Sequence, residues 1–131
     1  MTRDRFNQVV EEAIGLLPRE IREALNNLAV IVEDRPSYET LEEVGLGPED
    51  ILFGLFQGVP ITQNSFFSPG AQLPNRITLF KSELEEVCRT EEELTREIIM
   101  TLVHEVGHYL GLGERELREL EAEVGRSRGN S

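Results

Sequence analysis

Apolar residues at Phe6, Val9, Val10, Ala13, Ile14 and Leu17 return every three or four positions, with Glu11 and Glu12 on the other side. That spacing predicts an amphipathic helix with one buried face. Leu17-Pro18 punctuates it, because the residue before a proline leaves the helical region and proline suits the first turn of a new helix. The next helix runs through Ile21, Ala24 and Leu25 and ends about Asn26-Asn27. Leu28-Ala29-Val30-Ile31-Val32 is a short β-branched run and predicts a buried strand. Leu41 to Gly45 gives about one helical turn, and Gly47-Pro48-Glu49-Asp50 a loop. Ile51 to Phe56 predicts a second strand, in which the lone Gly54 marks a bulge or a close backbone approach. Arg76 to Lys81 alternates and predicts a third strand, placed near an edge by its flanking charges. Ser82 to Cys88 predicts a short helix, with Cys88 as a small buried thiol.

Thr90-Glu91-Glu92-Glu93 has the form of a capping box, Thr90 as N-cap and Glu93 three residues on. The helix it opens extends to about Leu110. Its apolar stripe of Leu94, Ile98, Leu102 and Val106 is widened by Ile99, Met100 and Val103, so it is a central helix packed on most sides. A last helix follows from Glu114 to Val124 through Leu117 and Leu120, and residues 125–131 read as a flexible polar tail. Between Gln57 and Asn75 lie three prolines, two glycines and little periodicity. A stretch like that in a compact domain is functional or disordered. Phe66 and Phe67 in its middle pin it to the body or cover a cleft.

The order of elements is that of an α+β protein, and 131 residues suit a single domain with one core. The net charge of −12 argues against binding a nucleic-acid backbone or an anionic membrane surface, both of which call for clustered Lys and Arg. One cysteine excludes an intrachain disulfide and is compatible with a reducing compartment. The first residues are polar and charged, unlike a signal peptide, and no run approaches the roughly 18 apolar residues of a membrane span. The expectation is a cytoplasmic protein.

The chemistry is concentrated in one stretch, His104-Glu105-Val106-Gly107-His108-Tyr109-Leu110-Gly111-Leu112-Gly113-Glu114. It contains the only two histidines of the chain, four residues apart. On a helix that spacing puts both imidazoles on one face, where they can share a metal ion. Glu105 lies about 100° further round at 3.6 residues per turn, so it flanks the ion and can serve as a base. Gly111 tolerates positive φ and can end the helix and reverse the chain. Glu114 then comes within reach as a third ligand, with Glu116 and Glu119 as substitutes for it. Two imidazoles and one carboxylate leave a fourth position open for water, as catalytic zinc requires. The bland alternatives are polar histidines on a surface helix and a Glu114 that merely suits the first turn of the next helix.

The run H-E-x-x-H-x-x-G-x-x-E resembles the motif of metzincins, and together with the length and element order it resembles the mini-zincins, small bacterial proteins regarded as possible zinc metallopeptidases. The resemblance covers nearly the whole chain. It implies a minimal zincin-like fold, a small mixed sheet packed against a central H-E-x-x-H helix with flanking helices. It also implies zinc on His104, His108 and Glu114, and Glu105 as general base toward a metal-bound water. Mini-zincins usually have Asp at the third-ligand position, one methylene shorter than Glu114. The methionine turn of metzincins is missing, since Met1 and Met100 both precede the motif. The short stretch after His108 leaves a shallow cleft, suited to a peptide or unfolded polypeptide and dependent on a partner or a homo-oligomer for tight binding. Tyr109 and Tyr38 are candidate donors to an oxyanion. A non-catalytic metal-binding interaction protein of the same fold is the alternative; a metal-dependent RNA hydrolase fits the −12 charge poorly.

Overall fold

Thr2 accepts a hydrogen bond from the Arg5 N–H and opens α1 (Arg3–Gly15), whose predicted apolar face is buried at Phe6, Val9, Val10 and Ala13. This is a computed structural model, and it describes residues 1–60 and 75–129, with side chains as far as Gly125. Pro18 caps α2 (Arg19–Ala24), which tightens into a 3₁₀ turn at Leu25–Asn27 before β1 (Ala29–Glu33). Ser37 accepts from the Thr40 N–H and starts α3 (Tyr38–Glu43), earlier than the Leu41 at which the apolar pattern begins. Then come β2 (Gly54–Gln57), β3 (Arg76–Phe80), α4 (Lys81–Val87), α5 (Glu91–Tyr109) and α6 (Glu114–Gly129). The architecture is α+β with a small mixed sheet, as expected.

The sheet order is β1-β3-β2, with β1 parallel and β2 antiparallel to β3. This corrects the expectation that the Arg76–Lys81 strand lies at an edge. β3 is the centre of the sheet, and Ile77, Thr78, Leu79 and Phe80 are all buried. The charges that suggested an edge belong to its ends: Arg76 is exposed at the start, and Lys81 already lies in α4, bonded to Glu85 at 2.9 Å. The second strand is also shorter than its apolar run. Ile51 is exposed, and regular pairing begins at Gly54, opposite Leu79, although the Phe53 carbonyl accepts from the Phe80 N–H.

α5 is the central helix, packed against α1, α2, α4, α6, β2 and β3. Thr90 Oγ1 accepts from the Glu93 N–H at 3.0 Å, and Glu93 reaches back to the Arg89 N–H at 2.8 Å, one residue before the expected reciprocal bond. Leu94, Ile98, Ile99, Leu102, Val103 and Val106 are buried in the main core with the apolar residues of α1, β3 and α4. A buried Leu or Ile cut to Ala in such a core costs about 2–5 kcal/mol, so α5 is held rigidly along its length.

Two close approaches set what surrounds its C-terminal half. A Cβ on Gly54 would lie 2.6 Å from Thr101 Cγ2, so β2 crosses α5 closely only because that position is glycine. A Cβ on Gly107 would lie 2.0 Å from Leu117 Cδ2, so α6 packs tightly on α5 at that point. α6 runs on past Val124, where its apolar pattern stops, to Gly129; residues 130 and 131 of the expected tail lie outside the described residues. So do most of the irregular stretch and its Phe66 and Phe67.

Candidate metal centre

The turn after α5 forms as Gly111 predicts. Gly111 has φ +75°. Its N–H donates to the His108 carbonyl at 3.0 Å, and the Leu112 N–H donates to the Gly107 carbonyl at 3.0 Å. This pair of bonds is a Schellman ending, which satisfies two of the orphan carbonyls of the helix and sends the chain back along it. α6 therefore returns antiparallel to α5, and Leu117 meets Gly107.

On the last turns of α5 the ligand atoms of His104, Glu105 and His108 come within 4.8 Å of one another. The imidazole rings meet edge to face, centroids 4.5 Å apart and planes at 73°. Both histidine side chains are partly exposed, at 42% and 44%, while that of Glu105 is only 9% exposed. The face is thus open to solvent at the imidazoles and closed at the carboxylate. Glu105 Oε1 accepts from the Phe56 N–H of β2 at 2.7 Å and lies 3.4 Å from His108 Nδ1. A buried carboxylate requires donors of this kind, since leaving it bare in the interior costs several kcal/mol.

The group suits a first-row divalent ion. Zinc takes nitrogen and oxygen ligands at about 2.0–2.2 Å, and the donor atoms of the group lie within 4.8 Å of one another. The imidazoles lie on a helix anchored in the core, and their exposure leaves a way in for the ion and for a further ligand.

The other predicted acids stand apart from this group. Glu114 is at the first turn of α6, 85% exposed, with Oε2 3.7 Å from Arg118 Nη1. Glu119 Oε1 is 3.3 Å from Arg115 Nε, and Glu116 Oε1 is 3.4 Å from the Gly113 N–H. Tyr109 is buried with its ring 5.7 Å from that of Phe56, and Tyr38 is 77% exposed on α3; neither belongs to the group. Cys88 is a partly buried residue against the core, and burial, with Glu97 and Glu93 adding to it, pushes its thiol pKa up. That is the direction of an inert thiol.

One residue that the sequence did not single out touches the centre. Glu121, on α6, brings Oε1 to 2.5 Å from His104 Nδ1. A signal for it existed in the turn. In an antiparallel helix pair folded about Gly111 to Gly113, a residue some eight positions before the turn faces one some eight positions after it.

Among the described residues no helix is long and apolar enough to cross a membrane. No curated protein is detectably similar to the chain. A family model described as zincin-like metallopeptidase matches residues 25–124, from the 3₁₀ turn before β1 to Val124 on α6. The match takes in the whole sheet, the helix with both histidines and most of the helix folded back on it, and on that ground the chain belongs to the zincin-like metallopeptidase family.

Proposed function

We propose that the protein is a zinc-dependent peptidase in which His104 and His108 hold the ion, Glu114 supplies a third protein ligand and Glu105 is the general base. The observation that carries this reading is Glu105 itself. A buried carboxylate held between a β-strand amide and the histidine pair is costly for a site that only stores metal, and a closed structural zinc site needs no base. Zinc held here would supply a Lewis acid for the scissile carbonyl and would lower the pKa of bound water toward about 7. Because the Phe56 N–H engages Oε1, the proton from the attacking water goes to Glu105 Oε2 and is delivered to the leaving amine. The bond from Phe56 also fixes the carboxylate, so little reorganisation is needed as the proton moves. Glu114 is free to leave Arg118, since an exposed pair of that kind is worth only about 0–1 kcal/mol.

For substrate we propose a flexible, extended polypeptide. β2 is an outer strand of the sheet, and among the described residues no strand pairs with its other edge. Phe56, whose amide meets the base, lies on β2, so a peptide adding to that edge would run beside Glu105. The net charge of −12 favours segments with Lys or Arg at low salt, an effect screened beyond about 8 Å at physiological ionic strength.

The test is hydrolysis of an unstructured polypeptide by zinc-loaded protein, stopped by a chelator and restored by added zinc. A zinc-loaded protein that cuts nothing would favour the alternative of a non-catalytic metal-binding module. For the ligands, His104→Ala and His108→Ala abolish stoichiometric zinc, and Glu114→Ala weakens it. Unchanged affinity in the last would exclude Glu114.

A further inference from the structure

We infer that Glu121 is a positioning residue for the metal centre, holding the His104 ring so that Nε2 faces the ion. This rests on the metal site proposed above. A carboxylate has no proton to give at neutral pH, so in the 2.5 Å contact His104 Nδ1 must donate and Glu121 Oε1 accept. The neutral ring then carries its only proton on Nδ1, and Nε2 is left with a bare lone pair. Ligation through Nε2 needs that tautomer, and a free imidazole in water does not hold it exclusively. The carboxylate also pulls on the Nδ1 proton and makes Nε2 a stronger donor to a cation.

The placement of Glu121 is fixed by two features at the turn between the helices. The Schellman turn at Gly111 sets where α6 begins its return. The close contact of Gly107 with Leu117, whose side chain is buried, sets the spacing and register one turn further on. Leu117 and Glu121 are four apart and share a face of α6, and His104 lies three residues before Gly107 on α5. The contact that seats α6 on α5 therefore delivers Glu121 to His104. Other acids of α6 turn to arginines of their own helix, Glu114 to Arg118 and Glu119 to Arg115. Glu121 is also more shielded than those two, with its side chain 29% exposed.

The test combines zinc affinity with the state of the His104 ring. Glu121→Ala should weaken zinc binding about 10–100-fold, the usual effect of losing a partner that orients a ligand. Glu121→Gln, whose amide oxygen still accepts from Nδ1–H, should recover part of that loss. In the metal-free protein, long-range ¹H–¹⁵N spectra should put the proton of neutral His104 on Nδ1 in the wild type and on a mixture of ring nitrogens in Glu121→Ala. Wild-type zinc affinity in Glu121→Ala, or an unchanged tautomer, would overturn the inference. A loss as complete as that of His104→Ala would also overturn it, by making Glu121 a ligand. If His104→Ala itself binds zinc as the wild type does, the metal site is wrong and the role of Glu121 falls with it. Circular dichroism of each variant separates these outcomes from unfolding.

Discussion

The Phe56 N–H of β2 donates to Glu105 Oε1 of α5 at 2.7 Å, so an outer strand and the proposed base are joined by one hydrogen bond. Gly54 allows it: two residues earlier on the same strand, a side chain would strike Thr101. Sheet and helix are thereby registered at the place where the chemistry is proposed.

Phe56→Pro should destabilise the protein by about 1.5–3 kcal/mol more than Phe56→Ala does, the range of a hydrogen bond to a charged group. Both lose the ring packed near Tyr109, but only proline loses the N–H. Urea denaturation of the two variants measures the difference. Equal stabilities would mean that the bond to Glu105 contributes nothing.

Gly107→Ala tests the seating of α6. Alanine gains about 1 kcal/mol in helix propensity over glycine, but its methyl would meet Leu117 Cδ2 at 2.0 Å in a buried contact. Overpacking of that kind costs about 1–3 kcal/mol, so a net loss of stability is expected. Leu117→Ala in the same chain should relieve part of the clash, giving a positive coupling in a double-mutant cycle. A more stable Gly107→Ala protein would show that α6 is not held against this position.

Acid stability should depend on Glu85. Burial pushes its carboxyl pKa up, but the Lys81 ammonium at 2.9 Å and the Met1 ammonium at 3.3 Å outweigh that and hold it below its ordinary value. A group lowered in the folded state contributes stability above its unfolded pKa, about 4.3 for Glu. The contribution is lost as pH falls through the folded value. Glu85→Gln should therefore cost stability at neutral pH and less in acid, at about pH 3, where the wild type is losing the same contribution. Urea denaturation at the two pH values checks it, and an equal cost at both would contradict it.

What was legible in the sequence follows from where the signals were local. The spacing of Phe6, Val9, Val10 and Ala13, the cap at Thr90 and the glycine at 111 each act within one or two turns of chain, and each does in the structure what its residue type dictates. His104, Glu105 and His108 are brought together by one helix, so their spacing alone was enough. The sheet order was not legible. Arg76 and Lys81 look alike as flanking charges whether the strand between them is central or outer, and only pairing with two distant strands decides it. Glu121 was missed for the same reason: its contact spans the chain reversal and depends on how closely α6 packs at Gly107.

The central claim is that Glu105 moves the proton in a metal-dependent hydrolysis, and the most direct measurement is the rate for Glu105→Gln with zinc content measured in the same samples. Glutamine nearly matches the shape of glutamate, and its amide oxygen can still accept from the Phe56 N–H, so zinc should be retained. The rate on an unstructured polypeptide should fall by about 10²–10⁴, the range for a lost general base. Equal rates in wild type and variant, with equal zinc, would contradict the account.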